Sequence, residues 1–350
     1  MEPGERSIVR VDGSRGEGGG QIVRTSLSLA AVLGRPFEIH DLRAKRRRPG
    51  LQPQHLTAVR AAAELCGADV AGAEVGSSSF SFVPRRPVSG GRYRFEIGTA
   101  GAATLVAQTV LAPLALAPEP SEVVVVGGTH LPFSPSFEYL RDVYIPTLRR
   151  SGWELDVDSG RAGFYPAGGG EVRAATGPSD PSGFDLTQRG AIRTVEVEVV
   201  TSRLPDHVRE RAVRTAEDVL AGIADVTIRT SHPPAFTPGA AVTVRVVHDG
   251  GVAGSSSIGE RGRPMEDVTA DACGQALRWL ASDAACDEHL ADQLVLPACL
   301  SSGPSRWTTD RVTEHLRTVL WLASLFDPLR HSVERGPGEA WTVKVEPLGR

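Results

Sequence analysis

Residues 14–34, SRGEGGGQIVRTSLSLAAVLG, run a glycine-rich turn straight into an apolar stretch of helical period. Glycine lets a backbone approach an anion closely, and the first N–H groups of a helix point outward unpaired. The pattern suits phosphate, yet no Gly-x-x-x-x-Gly-Lys-Ser/Thr run is present and an acid, Glu17, stands inside the turn. A carboxylate there can hold a divalent cation that bridges phosphates. Gln21 and Arg24 lie one helical turn apart and can share a face. Lys45 and Lys344 are the only lysines, so arginine is the cation left to grip phosphate, which it does with two prongs. A purely structural turn is the alternative reading of these glycines taken alone.

A second candidate is DLRAKRRRPGLQPQHLTAV (41–59), where Arg43, Lys45, Arg46, Arg47 and Arg48 crowd together before a Pro-Gly turn and a helix starting near Gln54. Like charges repel, so the patch is either a solvated loop or a seat for an anion. IGTAGAATLVAQTVL (97–111) is another glycine-bearing turn into a helix, with Gln108 on its apolar length. In VVVVGGTHLPFSPSFEYL (123–140), Pro132 and Phe133 can wall a base-stacking slot or merely stiffen a loop. CDEHLADQLVLP (286–297) sets His289, Asp292 and Gln293 near a helix start, suited to a ribose or base edge. His315 lies in the first turn of TEHLRTVLWLASLF, where a lone histidine is either a cap or core residue or a nucleophile.

Three segments can position these groups. HLTAVRAAAELCGADVAGAEVGSSSFSFVP (55–84), YLRDVYIPTLRRSGWELDVDSGRAGFYP (139–166) and the stretch 315–347 each read as a helix followed by two short strands ending at proline. The first two start about 84 residues apart and the third about 175 after the second, leaving roughly 90 residues for an inserted unit. The insert is placed at 186–276, from the alternating strand IRTVEVEVVTS through a charged helix, two further strands and the helix of MEDVTADACGQALRWLAS. The expected division is thus a large domain, 1–185 with 277–350, and a small α/β domain, 186–276.

Composition excludes several classes. Apolar residues make up 41% of 350, enough for a sizeable core and about two domains. A net charge of −4 rules out a wholly basic nucleic-acid binder, so any anion site is local. The opening MEPGERSIVRVDG has no apolar leader, and the longest apolar run is broken by Gln108 and prolines, so no bilayer span is expected. Cys66, Cys273, Cys286 and Cys299 form no CxxC pair and read as buried, reduced thiols of a cytoplasmic protein.

The stretches DGSRGEGGGQIVRTSLSLA, RAKRRRPGLQPQHLTAV, GTAGAATLVAQTVL, VGGTHLPFSPSFEYL, GFYPAGGGEV, EHLADQLVLP and TEHLRT, in this order, resemble the RNA 3′-terminal phosphate cyclase family along nearly the whole chain. The resemblance implies an α/β (α+β) fold of three repeated units, each a four-stranded sheet with two helices, plus a smaller inserted α/β domain. It implies a ligase that uses ATP and a divalent metal, Mg2+ or Mn2+, to turn an RNA 3′-phosphate into a 2′,3′-cyclic phosphate through a histidinyl–AMP. On this resemblance the nucleophile falls on His315. ATP contacts fall on Gln108 and on His289, Leu290, Ala291, Asp292 and Gln293, with Pro132 as the stacking wall. Glu17 matches the metal-associated acid, and Arg24, Arg43, Arg46 and Gln54 match positions that handle phosphate. Two positions depart from the family pattern: Val319 replaces a common asparagine, and His289 stands where an aromatic ring, often tyrosine, stacks on adenine. The partners implied are ATP and RNA with a 3′-phosphate end, with no membrane; a homodimer is left open. The second reading is an RNA-binding protein of the same fold, non-catalytic or nucleolytic, acting in ribosome assembly. That branch lacks the histidine that His315 supplies. A third, an enolpyruvyl-type transferase on a related repeat fold, leaves a nucleotide pocket at His315 unexplained.

Overall fold

The computed structural model describes residues 7–336 and 338–349. The first six residues, where no apolar leader was expected, and Arg350 lie outside the described residues, as does Pro337. The first unit holds β1 (Val9–Asp12), α1 (Gly20–Leu33), β2 (Phe37–His40), α2 (Pro53–Cys66), β3 (Asp69–Ala71) and β4 (Phe80–Val83). The second holds β5 (Gly91–Glu96), α3 (Ala103–Ala115) and β6 (Ser121–Gly127). It continues with α4 (Phe137–Tyr139), which runs through a π-helical turn, Leu140–Tyr144, into α5 (Ile145–Arg149), and then β7 (Leu155–Asp158) and β8 (Gly170–Thr176). The third opens with β9 (Asp185–Leu186) and is interrupted by β10 (Ile192–Ser202), α6 (Asp206–Val219), β11 (Val226–Ser231), β12 (Gly239–His248), β13 (Gly251–Ile258) and α7 (Met265–Leu280). It resumes with α8 (Glu288–Gln293), α9 (Val295–Leu300), β14 (Ser305–Thr309), α10 (Glu314–Phe326), β15 (His331–Arg335) and β16 (Trp341–Val345).

The sheets repeat one another. Their orders are β1-β2-β4-β3, β5-β6-β8-β7 and β9-β14-β16-β15, and in each the first pair is parallel and the other two antiparallel. The parallel pair needs a crossover, and α1, α3 and the α8–α9 run supply it. The interrupting unit forms a fourth sheet, β11-β10-β12-β13, with its own apolar cluster around Val244, Val268 and Trp279. The three repeats instead share one core that includes Phe37, Phe82, Trp153, Trp307 and Phe326.

Helix α1 lies at the middle, packed against α2, α3 and α10. Its buried face carries small residues, and Ser28 Oγ donates to the Thr109 carbonyl of α3 at 2.7 Å, so the two helices approach closely. This packing brings the starts of α1 and α10 together. Three expectations are adjusted. The second strand of the middle segment is β8, beyond Pro166, because the stretch from 159 to 169 is a loop. Strand β13 was not anticipated. The inserted unit, which we propose to bound at 192–280, starts after Leu186 because that residue pairs in β9, and ends later than 276 because α7 continues to Leu280.

Candidate active site

Helix α10 begins where Thr313 Oγ1 accepts the Leu316 N–H at 3.0 Å. Leu316, Val319 and Leu320 are buried beneath it, which leaves His315 facing outward from the first turn. One oxygen stands at each of its ring nitrogens: Gln21 Oε1 at Nδ1, and Glu17 Oε2 at Nε2, 3.0 Å away. The same Glu17 oxygen accepts from Arg46 Nη2 at 2.9 Å. Burial holds His315 below the usual imidazole range; Glu17 opposes this, while Arg24, Arg46 and His289 reinforce it. The neutral ring, the form that carries a nucleophilic lone pair, is therefore favoured.

Behind this pair lies a cluster of cationic groups with little counter-charge. Burial pushes the Arg24 guanidinium down to about 10, against the pull of Asp292, and Arg43 adds to the fall. His55, buried on α2, is pushed down to about 3 by burial and then by Arg24 and Arg43. Its Nδ1 accepts the Gln52 N–H at 3.1 Å, so Nε2 is the protonated nitrogen, and it abuts Gly20. A Cβ on Gly20 would come within 2.2 Å of His55 Nε2 and 2.9 Å of Arg24 Nη1. The glycine of the turn is thus required by the neutral imidazole and the guanidinium packed against it. Arg43 donates from Nη2 to the Arg48 carbonyl, while its buried Nε has no partner. Burial and neighbouring Arg46 lower its guanidinium too. Three guanidinium groups so placed have the charge and donors to seat a polyanion.

Beside His315 opens a cleft of about 550 Å3. Gln21, Arg24, Gln108, Pro132, Phe133, His289, Asp292, Gln293, His315 and Val319 line it on the side of the three units. Gln108 Nε2 donates to Gln293 Oε1 at 2.6 Å, and Gln293 Nε2 to the His289 carbonyl at 2.9 Å, tying α3 to α8. Helix α8 is set by Asp287, whose Oδ1 accepts the His289 and Leu290 N–H groups and the Tyr139 hydroxyl, while Oδ2 accepts the Gly254 N–H at 2.9 Å. Burial, with Asp287 and Glu288 nearby, raises Asp292 well above the carboxylate range, while Arg24 opposes the rise. The inserted unit supplies the facing wall from Ser256, Ser257, Arg263, Asp271 and Gln275.

Residues 15–333 match the family described as RNA 3′-terminal phosphate cyclase. The chain is 44% identical over 337 residues to an RNA 3′-terminal phosphate cyclase of Methylococcus capsulatus, covering 93% of each chain. Against one from Nostoc it is 42% identical, covering 89% of this chain and 92% of that one, and against one from Pseudomonas fluorescens 41%, covering 98% of both. The chain belongs to the RNA 3′-terminal phosphate cyclase family.

Membership gives the expected residues a common frame, and this cyclase-family chain does not treat them alike. His315, Glu17, Gln21, Arg24 and Arg46 converge at the two helix starts, and Gln108, Pro132, His289, Asp292 and Gln293 line the adjoining cleft. Leu290 and Ala291 turn their side chains into the core instead. Gln54 Oε1 accepts the Ala102 N–H at 2.8 Å, so it closes the start of α3 rather than facing His315. Val319, where the resemblance leads one to expect asparagine, is buried in the core beneath α10 and also borders the cleft. Among the described residues, the one grouping of three metal-ligating side chains is Asp12, His40 and Asp41, which excludes Glu17. Sequence reading missed His55, Asp287 and the insert wall. His55 follows Gln54 directly and Asp287 sits one residue before the helical block, whereas nothing in GVAGSSSI marks a cleft wall.

No helix among the described residues is long and apolar enough to cross a membrane. All four cysteines are buried and free, and burial raises their thiols.

Proposed function

We propose that this chain uses ATP to convert an RNA 3′-terminal phosphate into a 2′,3′-cyclic phosphate, and that His315 carries AMP between the two. The observation that carries the reading is His315 itself, half exposed at the mouth of a nucleotide-sized cleft and faced by Glu17, Gln21 and a cluster of arginines. Family membership places the activity in this class; the steps below are what the geometry supports.

His315 Nε2 attacks the α-phosphorus of ATP, forming a P–N bond as pyrophosphate leaves. Glu17 shares its oxygen with Arg46, so engagement of that carboxylate elsewhere leaves the Nε2 lone pair free. Arg24, Arg43 and Arg46 offset the charge that would repel the ring from a triphosphate. The RNA 3′-phosphate oxygen then attacks the same phosphorus, breaking the P–N bond and giving RNA-(3′)pp(5′)A. A phosphate monoester is a poor electrophile; the anhydride gives it AMP as a leaving group. The neighbouring 2′-hydroxyl displaces AMP and closes the ring, and the sugar already holds it at high effective concentration. His289 and Pro132 are positioned to face the adenine, and Gln108, Asp292 and Gln293 offer hydrogen bonds to the nucleoside.

Glu17 is the residue that would hold a divalent cation. It offers one hard oxygen donor group, which fits an ion whose other ligands are phosphate oxygens and water. Such an ion supplies charge neutralisation on the phosphates.

Incubation with α-labelled ATP tests the reading: label should remain on the protein, labile to acid and stable to base. Titrating magnesium or manganese into Glu17→Ala should show slower labelling and a weaker metal response; an unchanged response makes Glu17 structural. A protein that binds RNA yet never takes label would be an assembly factor instead.

A further inference from the structure

Away from the cleft, two loops from different units are fastened together and present two exposed aromatic side chains. The 161–170 loop lies between β7 and β8, and the 233–238 loop precedes β12. Ala162 N–H donates to the Pro234 carbonyl at 3.0 Å and Thr237 Oγ1 to the Phe164 carbonyl at 3.1 Å. The Phe164 ring is buried, stacked on His130 at 4.8 Å and covering Gly239, so it anchors the pair. Its neighbours on the outside are Tyr165, 76% exposed, and Phe236, 57% exposed. Arg161 sits over the Phe236 ring at 4.4 Å and donates from Nε to the Gly169 carbonyl at 2.7 Å, which pins it. Gly169 lies against the same ring; a Cβ there would come within 2.5 Å of it. Among the described residues three aromatic side chains are largely exposed, and the third, Phe133, follows Pro132 at the cleft.

The 161–170 loop also packs against the turn that precedes α3. A Cβ on Gly168 would meet Ala100 Cα at 2.7 Å, and the Ala100–Ala102 turn is the one that Gln54 caps. The arginines Arg94, Arg161 and Arg173 outnumber the carboxylates Glu96 and Glu171 with which they pair.

We propose that Tyr165, Phe236 and Arg161 form a stacking platform for the bases of single-stranded RNA upstream of the 3′-phosphate end. Rigid exposed rings beside a pinned guanidinium are what unstacked bases need: every base has a face to stack, and the cation adds attraction without choosing a sequence. The proposal rests on the RNA reading above and adds where the rest of the strand lies. Stacking also explains how a chain of negative net charge holds RNA without a broad basic surface.

The test measures binding of a 3′-phosphorylated RNA of about ten nucleotides by fluorescence anisotropy, and AMP attachment from labelled ATP without RNA. Tyr165→Ala and Phe236→Ala should each raise Kd about tenfold, with more for the pair, while Tyr165→Phe keeps the wild-type value. A 3′-phosphorylated dinucleotide, too short to reach the platform, should not distinguish the variants. AMP attachment should stay at the wild-type level, which shows that the variants fold. Unchanged Kd for the long RNA with normal AMP attachment would overturn the platform. So would a wild-type dimer that becomes monomeric in the variants with Kd unmoved, since the rings would then meet a second copy of this chain. If wild type takes no AMP but Kd still responds to the variants, the platform stands and the ATP reading falls.

Discussion

The crossover helices that open the three units start at equivalent places, yet those starts are satisfied differently. At α8 Asp287 accepts the His289 and Leu290 N–H groups, and at α3 Gln54 accepts the N–H of Ala102, just before the helix, while the Ala103 N–H goes to the Gly128 carbonyl, so protein oxygens occupy both starts. The start of α1 has Gly19 as its cap, with no side-chain cap hydrogen bond, and the groups nearest it are Arg24, Arg46 and His55. Equal topology therefore gives one open helix start and two occupied ones. The open one is where cations gather and where His315 arrives from α10. A repeat fold can keep its architecture in all three copies while leaving a single copy free to take a ligand.

The comparison can be broken from either side. At the open start, His315→Ala should abolish AMP attachment and cyclisation while the far-ultraviolet circular dichroism and melting stay near wild type. Adduct at the wild-type level would move the nucleophile elsewhere, and His315→Asn should fail equally, since an amide is not nucleophilic. At an occupied start the loss should be one of stability. Asp287→Ala strands two helix N–H groups, the Tyr139 hydroxyl and the Gly254 N–H, and should cost about 3 kcal/mol in urea unfolding. A fully stable variant would mean that water replaces the carboxylate.

Arg43→Ala returns to the open start. It should slow the reaction about tenfold or more, at least ~1.4 kcal/mol of transition-state stabilisation. Lysine should restore only part of this, because an ammonium lacks the two-pronged contact. Rates of adenylation and cyclisation that both match wild type would return the patch to a solvated loop. The smallest effect belongs to Gln54→Ala, which should lower stability by about 1 kcal/mol, the usual worth of a helix cap. A cyclisation defect well beyond that loss would show that Gln54 leaves Ala102 to bind phosphate.

Much of this was legible in the chain. The GEGGGQIVR turn pointed to an open helix start because glycine and arginine at that spacing suit contact with an anion, and that pattern is local. The repeat was visible because helices followed by paired strands leave a strong change of period. Strand β13 was not, since GVAGSSSI has the composition of a loop. Its small residues are dictated by neighbours distant in sequence: a Cβ on Gly254 would meet Val143 Cγ2 at 2.6 Å, and the Gly254 N–H is needed by Asp287. Gln54, which the resemblance places among the phosphate-handling residues, is likewise held from a distance. Its spacing to the arginines is local, whereas its partner, Ala102, lies in the next unit.

The splice after β9 also bears on the order of assembly. The parallel strands of the first two units are joined over about 25 positions, Asp12 to Phe37 and Glu96 to Ser121, but those of the third over about 119, Leu186 to Ser305. On chain-closure entropy alone, the longer loop costs about 1.4 kcal/mol more before any contact rewards it. Prior folding of the inserted unit shortens that loop, and β9, two residues long, adds little hold of its own. The third sheet thus closes late, and it is the unit that carries α8 and His315. Refolding chains are therefore expected to regain most of their circular dichroism before they regain AMP attachment.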